Sequence, residues 1–120
     1  MRILLDHCVP RRFGGLLVGH DVRTAYQLGW SGLKNGQLLA QAATGGFDAF
    51  VTVDQNLRFQ QNLAALPLMV IILIVPNNRL EAIRACAAPL SASLATLTPR
   101  SLVTIDTTGT VTVAAAPPTP

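Results

Sequence analysis

The chain has 120 residues, of which 50% are hydrophobic and 12% are charged, and its formal net charge is +3. This length and composition predict a single domain with one buried core, and they exclude a wholly disordered chain. The longest apolar run covers residues 68–75, which is too short to span a bilayer. Asp6 interrupts the apolar N-terminus before a signal-peptide core can form, so we expect a cytoplasmic protein.

The first half of the chain alternates between strand-like and helix-like segments. Short apolar runs predict strands, and hydrophobic residues spaced three and four apart predict helices. Pro10 suits a helix start, and glycine suits a helix end. The predicted elements are a strand over Arg2–Leu5, a helix from Pro10 to Gly19, a strand over 20–25, a helix capped by Asn35 and ended by 45–46, and a strand over 49–53.

The second half continues this alternation and ends in a hairpin. A helix is predicted over 56–66, followed by a strand over 68–75 whose unbroken apolar character suits a buried parallel sheet. Hydrophobic residues from Leu80 to Leu97 follow a helical spacing that Pro89 interrupts, so we expect a kink or two abutting helices. Short strands over 102–105 and 110–113 predict the hairpin, and residues 114–120 predict a disordered Pro/Ala tail.

Strands separated by helices predict an α/β fold with a mainly parallel sheet. In such sheets, ligands bind beyond the carboxyl ends of the strands. Asp6 follows the first predicted strand and Asp54 follows the third, so both belong at that end of the sheet. Asp21 and Asp48 precede or open their strands, so we expect them at the opposite end.

Two carboxylates at one end of a sheet suit a metal site. They can hold one Mg²⁺ whose remaining ligands are waters and a substrate phosphate, and such an ion lowers the pKa of an attacking water. The alternative is that each carboxylate caps the following helix or closes a turn. For Asp6 and Asp54, the residues alone leave both interpretations open.

Several stretches of the sequence resemble a known family. They are Leu4-Leu5-Asp6 followed by Pro10-Arg11-Arg12, Gly19-His20-Asp21-Val22, Asn35-Gly36-Gln37-Leu38-Leu39, and residues 47–57 with Val51-Thr52-Val53-Asp54-Gln55-Asn56-Leu57. Together they resemble a PIN-like domain over residues 1–106, and more narrowly the short bacterial PIN-like proteins encoded beside a small DNA-binding antitoxin. The segment from Val51 to Leu57 is the most specific of these motifs.

The resemblance implies a fold, an activity and partners. The fold would be a PIN-like three-layer α/β/α sandwich over residues 1–113, with a mainly parallel central sheet and the short C-terminal hairpin. The activity would be that of a toxin-type endoribonuclease that depends on Mg²⁺ or Mn²⁺. The implied partners are RNA, a small DNA-binding antitoxin and a second copy in a homodimer, without a membrane.

The resemblance also implies roles for individual residues. Asp6 and Asp54 would be the catalytic metal carboxylates, and Asn35 would offer its amide oxygen to the metal. The supporting residues would be Thr52, His7, Gln37 and Asn56. The residues for RNA phosphate would be Arg11, Arg12 and Arg58.

The sequence departs from the family pattern at three acids. His7, Asn35 and Gln37 stand where the family usually has carboxylates. Fewer negative charges predict weak metal affinity, and the imidazole of His7 prefers softer metals than Mg²⁺. Two functions therefore remain open, a weakened ribonuclease and a catalytically inactive module that binds RNA or protein.

Four further residues invite a simple structural interpretation. Trp30 lies between two glycines and suits either stacking on a base or packing into a core. His20 opens a predicted strand and suits a structural role. Cys8 and Cys86 match no metal or redox spacing, so we expect two small, partly buried thiols.

Overall fold

The computed structural model of the protein describes residues 1–55, 67–96 and 100–113, with only the backbone described at Asn35. These residues form an α/β structure in which strands and helices alternate along the chain. The strands are β1 (Arg2–Leu5), β2 (Asp21–Thr24), β3 (Ala49–Thr52), β4 (Met69–Ile74), β5 (Leu102–Asp106) and β6 (Val111–Val113). The helices are α1 (Arg11–Gly14), α2 (Asn35–Thr44), α3 (Leu80–Ile83) and α4 (Ala87–Leu94).

The six strands form one sheet with the order β2-β1-β3-β4-β5-β6. The pairs from β2 to β5 are parallel, and β5 pairs with β6 in an antiparallel hairpin. The predicted α/β class, the mainly parallel sheet and the C-terminal hairpin are therefore confirmed. The hairpin also extends the sheet, because β5 lies beside β4.

Successive residues of a strand point to opposite faces, and here both faces are buried. On one face, Ile3 and Leu5 of β1 pack in a cluster with Phe13 of α1 and with residues of α3 and α4. On the other face, Leu4 and Phe50 pack with residues of α2. Burial on both sides explains why β3 and β4 are almost wholly apolar.

Two helix boundaries in the first half differ from the prediction. The first helix ends at Gly14 rather than Gly19, because two consecutive glycines disfavour a helix. The cap of α2 is Lys34, and Asn35 is the first helical residue. The N–H of Lys34 donates to the side-chain oxygen of Gln37 at 3.3 Å, so the side chain three positions into the helix closes its start.

The interruption predicted at Pro89 falls three residues earlier. A short 3₁₀ segment, Arg84–Cys86, separates α3 from α4. Pro89 lies in the first turn of α4. Backbone N–H groups in a first turn have no partner within the helix, so the N–H that proline lacks is not needed there. The predicted helix over 56–66, the helical position Leu97 and the predicted tail over 114–120 lie outside the described residues.

Strand order and register determine which loops come together. The chain places β2 on one side of β1 and then adds β3 and β4 on the other side, so the strand order reverses between β1 and β3. Such a switch point is where doubly wound sheets bind ligands, beyond the carboxyl ends of their strands. Leu5 pairs with Val51, so the residues that follow β1 and β3 lie side by side. None of the described helices is long and apolar enough to cross a membrane.

Asp21 and Asp48 lie at the opposite end of the sheet, as predicted. The N–H of Arg2, at the start of β1, donates to the carboxylate of Asp48 at 2.8 Å. The guanidinium of Arg2 also lies 3.6 Å from the carboxylate of Asp21. Both acids therefore contact the amino end of β1, away from Asp6.

Candidate functional site

The hydroxyl of Thr52 joins the segments that follow β1 and β3. It donates to Oδ2 of Asp6 at 2.7 Å, and it accepts the backbone N–H of Asp54 at 3.0 Å. The backbone N–H of Asp6 also donates to the carbonyl of Val51 at 2.9 Å. Because Thr52 is completely buried, its hydroxyl holds both segments in one arrangement.

The carboxylate of Asp6 is almost fully enclosed, with 2% of its surface exposed. Its Oδ1 accepts the backbone N–H of His7 at 2.8 Å and lies 2.9 Å from Nδ1 of the same residue. Its Oδ2 accepts the Thr52 hydroxyl and, at 3.4 Å, the thiol of Cys8. Four protein contacts thus occupy the roughly four acceptor positions that a carboxylate offers.

Cys8 belongs to this cluster, although its sequence context gave no functional signal. Its thiol lies 3.5 Å from the hydroxyl of Thr52 as well as near Asp6. Burial is the largest cause of a raised pKa for Cys8, and the negative charge of Asp6 adds to it, while contacts from Thr52 and Val53 oppose it. The thiol therefore remains protonated at neutral pH, which matches its role as a donor to Asp6.

The tight turn after β1 explains how Cys8 reaches Asp6. The N–H of Val9 donates to the carbonyl of Asp6 at 2.9 Å, which folds the chain back on itself. A thiol two residues beyond a strand-end carboxylate is the signal that could have identified this contact. Cys8 is half-buried and Cys86 is buried, and both are free thiols, as expected for small packed side chains.

Asp54 is the more accessible of the two candidate acids. It lies two residues beyond β3 and is half-buried, and its backbone is fixed by Thr52. The structure therefore brings together the side chains of Asp6, His7, Cys8 and Thr52. Asp54 lies two residues beyond Thr52, in the segment that follows β3. All of them lie at the carboxyl end of the sheet, where the sequence predicted the site.

The other predicted site residues are exposed on α1 and α2 or lie outside the described part of the chain. Gln37 is exposed, and its side-chain oxygen is engaged by the N–H of Lys34 at the start of α2. Arg11 and Arg12 are exposed and open α1. Asn56 and Arg58 fall within the undescribed residues, as does the side chain of Asn35.

Trp30 and His20 take structural positions. The ring of Trp30 packs edge-on against Phe47, with ring centroids 6.0 Å apart and an interplanar angle of 74°. The guanidinium of Arg2 lies over the same Phe47 ring at 4.4 Å. Trp30 is thus part of a packed aromatic group, and Nδ1 of His20 accepts a hydrogen bond from the backbone nitrogen of Met1 at 3.4 Å.

The donor atoms at Asp6 and Asp54 suit a hard divalent cation, since both offer carboxylate oxygens. In the described ranges, no three His, Cys, Asp or Glu side chains are grouped as metal ligands. A cation that approaches Oδ1 of Asp6 has to displace the ring of His7. That side chain is 51% exposed and can turn into solvent, so breaking its contact costs about the net value of one hydrogen bond, roughly 1 kcal/mol.

Comparison of the chain with protein-family models, with curated proteins and with solved structures found no match. The PIN-like resemblance therefore rests on the sequence motifs around Asp6, Asn35 and Thr52. What the structure adds is the position of these motifs relative to the sheet. A function has to be argued from that geometry and from the chemistry of the residues.

Proposed function

We propose that this protein is a PIN-like endoribonuclease of the toxin type that uses Mg²⁺ or Mn²⁺ and is weakened by the loss of acidic ligands. The observation that supports this most is the buried hydroxyl of Thr52, which contacts Asp6 and the backbone of Asp54. It joins two acid-bearing segments at the switch point of a parallel sheet, where ligands of such folds bind.

In this proposal, Asp6 and Asp54 hold the cation, and Asn35 adds its amide oxygen. A bound cation would polarise the phosphodiester and lower the pKa of an attacking water. Thr52 keeps Asp6 in position, with His7, Gln37 and Asn56 as supporting residues. The RNA backbone is held by Arg11, Arg12 and Arg58, since guanidinium groups form forked contacts with phosphate.

The second candidate is a PIN-like module that binds RNA or protein without cleaving it. The four contacts on the Asp6 carboxylate favour this candidate, because a fully satisfied carboxylate suits a structural role. The neutral Asn35 and Gln37 favour it too. In both candidates a small DNA-binding antitoxin and a second copy of the chain are partners proposed from the resemblance alone.

Cleavage of a mixed RNA substrate with Mn²⁺ separates the two candidates. We expect slow cleavage by the unaltered protein, faster cleavage by Asn35→Asp, which restores a family acid, and none by Asp54→Asn. The matched control is Asp21→Asn, which removes an acid at the opposite end of the sheet and should leave the rate unchanged. If Asn35→Asp is no more active than Asp54→Asn, the nuclease proposal fails and the binding module replaces it.

Metal affinity gives a second measurement that does not depend on activity. Calorimetric titration with Mn²⁺ should show weak binding to the unaltered protein, because two carboxylates and an amide leave much of the ion's shell to water. Asp6→Asn should weaken this binding further. Equal affinities before and after that substitution would remove Asp6 from the proposed site.

A further inference from the structure

A depression of about 370 Å³ lies between α1 and β2, beside the candidate site. Its polar lining comes from Arg11, His20, Thr24 and Gln27, and its apolar lining comes from Leu5 and Val22. The volume is within the range of small-molecule sites in proteins.

Gln27 presents a donor to this depression because its acceptor is already engaged. Its side-chain oxygen accepts the N–H of Thr24 at 2.9 Å, and its own backbone N–H donates to the hydroxyl of Thr24 at 3.1 Å. The first of these hydrogen bonds fixes which end of the amide is the oxygen, because a backbone N–H requires an acceptor. The amide NH₂ of Gln27 is therefore the end left for a ligand.

His20 and Arg11 supply further donors. Since Nδ1 of His20 accepts from the backbone nitrogen of Met1, the proton of the neutral ring resides on Nε2. The guanidinium of Arg11 has no hydrogen bond or ion pair with any part of the chain that the structure describes. It is exposed on α1, where a ligand can reach it.

The described lining contains no carboxylate to oppose these donors. Asp21 is adjacent to His20 in sequence, but its carboxylate is paired with Arg23 at 2.9 Å and with Arg2 at 3.6 Å. A lining of donors with a guanidinium that no described residue pairs suits an anion, and the planar fork of arginine matches the oxygens of a phosphate.

We infer that this depression binds a backbone phosphate of single-stranded RNA next to the candidate site. Leu5 lines the depression and directly precedes Asp6, and Thr24 ends the strand beside β1. A chain bound at Asp6 and Asp54 would therefore pass the depression with a neighbouring nucleotide. The choice of RNA as the ligand rests on the proposed function, whereas the anion site rests on the donors alone.

The test measures RNA binding without metal or cleavage. A fluorescently labelled single-stranded RNA is titrated in EDTA, and anisotropy gives the Kd at several salt concentrations. Arg11→Gln should weaken binding about tenfold and lower the slope of log Kd against log salt by about 0.7, the value for one phosphate contact on a single strand. Arg84→Gln is the matched control, because it removes an exposed arginine that does not line the depression, and it should have a clearly smaller effect.

A second pair of variants tests the amide of Gln27. Gln27→Glu keeps the oxygen that accepts from Thr24 and replaces the NH₂ with a negatively charged oxygen. It should weaken RNA binding at least as much as Arg11→Gln. Gln41→Glu makes the same charge change at an exposed position of α2 and should have little effect.

Equal effects within each pair would overturn the inference, because they would indicate general charge attraction. Absence of RNA binding by the unaltered protein would also overturn it. Competition with AMP and with inorganic phosphate identifies the source of the phosphate. If either binds more tightly than the RNA, the RNA assignment is wrong.

Failure of this inference is distinguishable from failure of the proposed function. If Asp54→Asn abolishes cleavage while Arg11→Gln and Arg84→Gln bind RNA equally, the nuclease proposal stands and the subsite does not. If the Arg11 and Gln27 variants lose binding while no variant cleaves RNA, the subsite stands and the nuclease proposal does not.

Discussion

The hydroxyl of Thr52 and the carboxylate of Asp6 form a 2.7 Å hydrogen bond between the ends of two adjacent strands. The two residues are 46 positions apart in the chain, yet parallel pairing of β1 with β3 brings them together. The contact connects stability with function, because it fixes the acid on which the proposed metal site depends.

Replacing Thr52 with Val should destabilise the protein by about 1–3 kcal/mol, since it removes a donor to an enclosed carboxylate and an acceptor for the N–H of Asp54. Urea denaturation measures this loss. Thr104→Val is the matched control, because the hydroxyl of Thr104 makes only a 3.5 Å contact with the carbonyl of Thr112 near the surface. Equal losses in both variants would contradict the role assigned to Thr52.

His7 should compete with a cation for Oδ1 of Asp6. Its ring lies 2.9 Å from that oxygen and is about half exposed, so its removal opens the oxygen without creating a buried cavity. His7→Ala should therefore raise the affinity for Mn²⁺ about threefold, because the cation no longer displaces a hydrogen-bonded contact whose net value is about 1 kcal/mol. Calorimetric titration in metal-free buffer measures the change.

His20→Ala is the control for this prediction. His20 directly precedes β2, and its described contact is with the backbone nitrogen of Met1 rather than with Asp6. Its replacement should leave Mn²⁺ affinity unchanged. A gain of the same size in both variants, or no gain in His7→Ala, would show that His7 does not compete with the metal.

The sequence predicts the sheet well because its signals are local. The apolar runs of β1, β3 and β4 are short, buried and bounded by turns, so their positions were evident from the pattern. The same pattern gave the strand direction, which correctly separated Asp6 from Asp48. Parallel strands leave few alternatives once helices separate them.

The helix boundaries and the hydrogen-bond partners of Asp6 depend on side-chain geometry that no local sequence pattern predicts. Lys34 caps α2 only because Gln37 reaches back to its N–H. Likewise, the contacts of His7 and Cys8 with Asp6 depend on a tight turn and on rotamer choice. The sequence therefore identified the acid but not the donors that already surround it.

The two free thiols predict a loss of stability at alkaline pH. Burial raises the pKa of Cys8 and of Cys86 above the ordinary value of 9.0, so the folded state retains these protons longer than the unfolded state. Their contribution to stability is complete below pH 9 and is lost as pH rises through the folded pKa values. Urea midpoints at pH 8 and pH 10 measure the loss.

A variant without both thiols isolates this effect from the titration of other groups. Cys8→Ala combined with Cys86→Ala should lose less stability between pH 8 and pH 10 than the unaltered protein does. The comparison uses the change with pH within each protein, so the cost of the smaller side chains cancels. An identical pH dependence would mean that the thiols do not contribute.

The contact of α1 with β2 gives the last prediction. A Cβ atom at Gly14 would lie 2.8 Å from Cγ1 of Val22, a distance that real Cβ contacts essentially never show, whereas at Gly15 the nearest atom is the carbonyl oxygen of Arg12 at 3.4 Å. Gly14→Ala should therefore destabilise the protein by about 1–3 kcal/mol through overpacking, as measured by urea denaturation. Gly15→Ala should be neutral or stabilising by up to about 1 kcal/mol, because the backbone there is helical.

Combining Gly14→Ala with Val22→Ala tests the cause of that loss. If the overlap with the Val22 side chain is responsible, the double variant should be clearly more stable than the sum of the two single losses predicts, since contacting residues couple. Because Gly14 and Val22 border the depression beside α1, the same overlap should displace Arg11 and weaken RNA binding. Additive losses of stability would mean that the overlap with Val22 is not the cause. Unchanged RNA binding would mean that the position of α1 does not affect the proposed subsite.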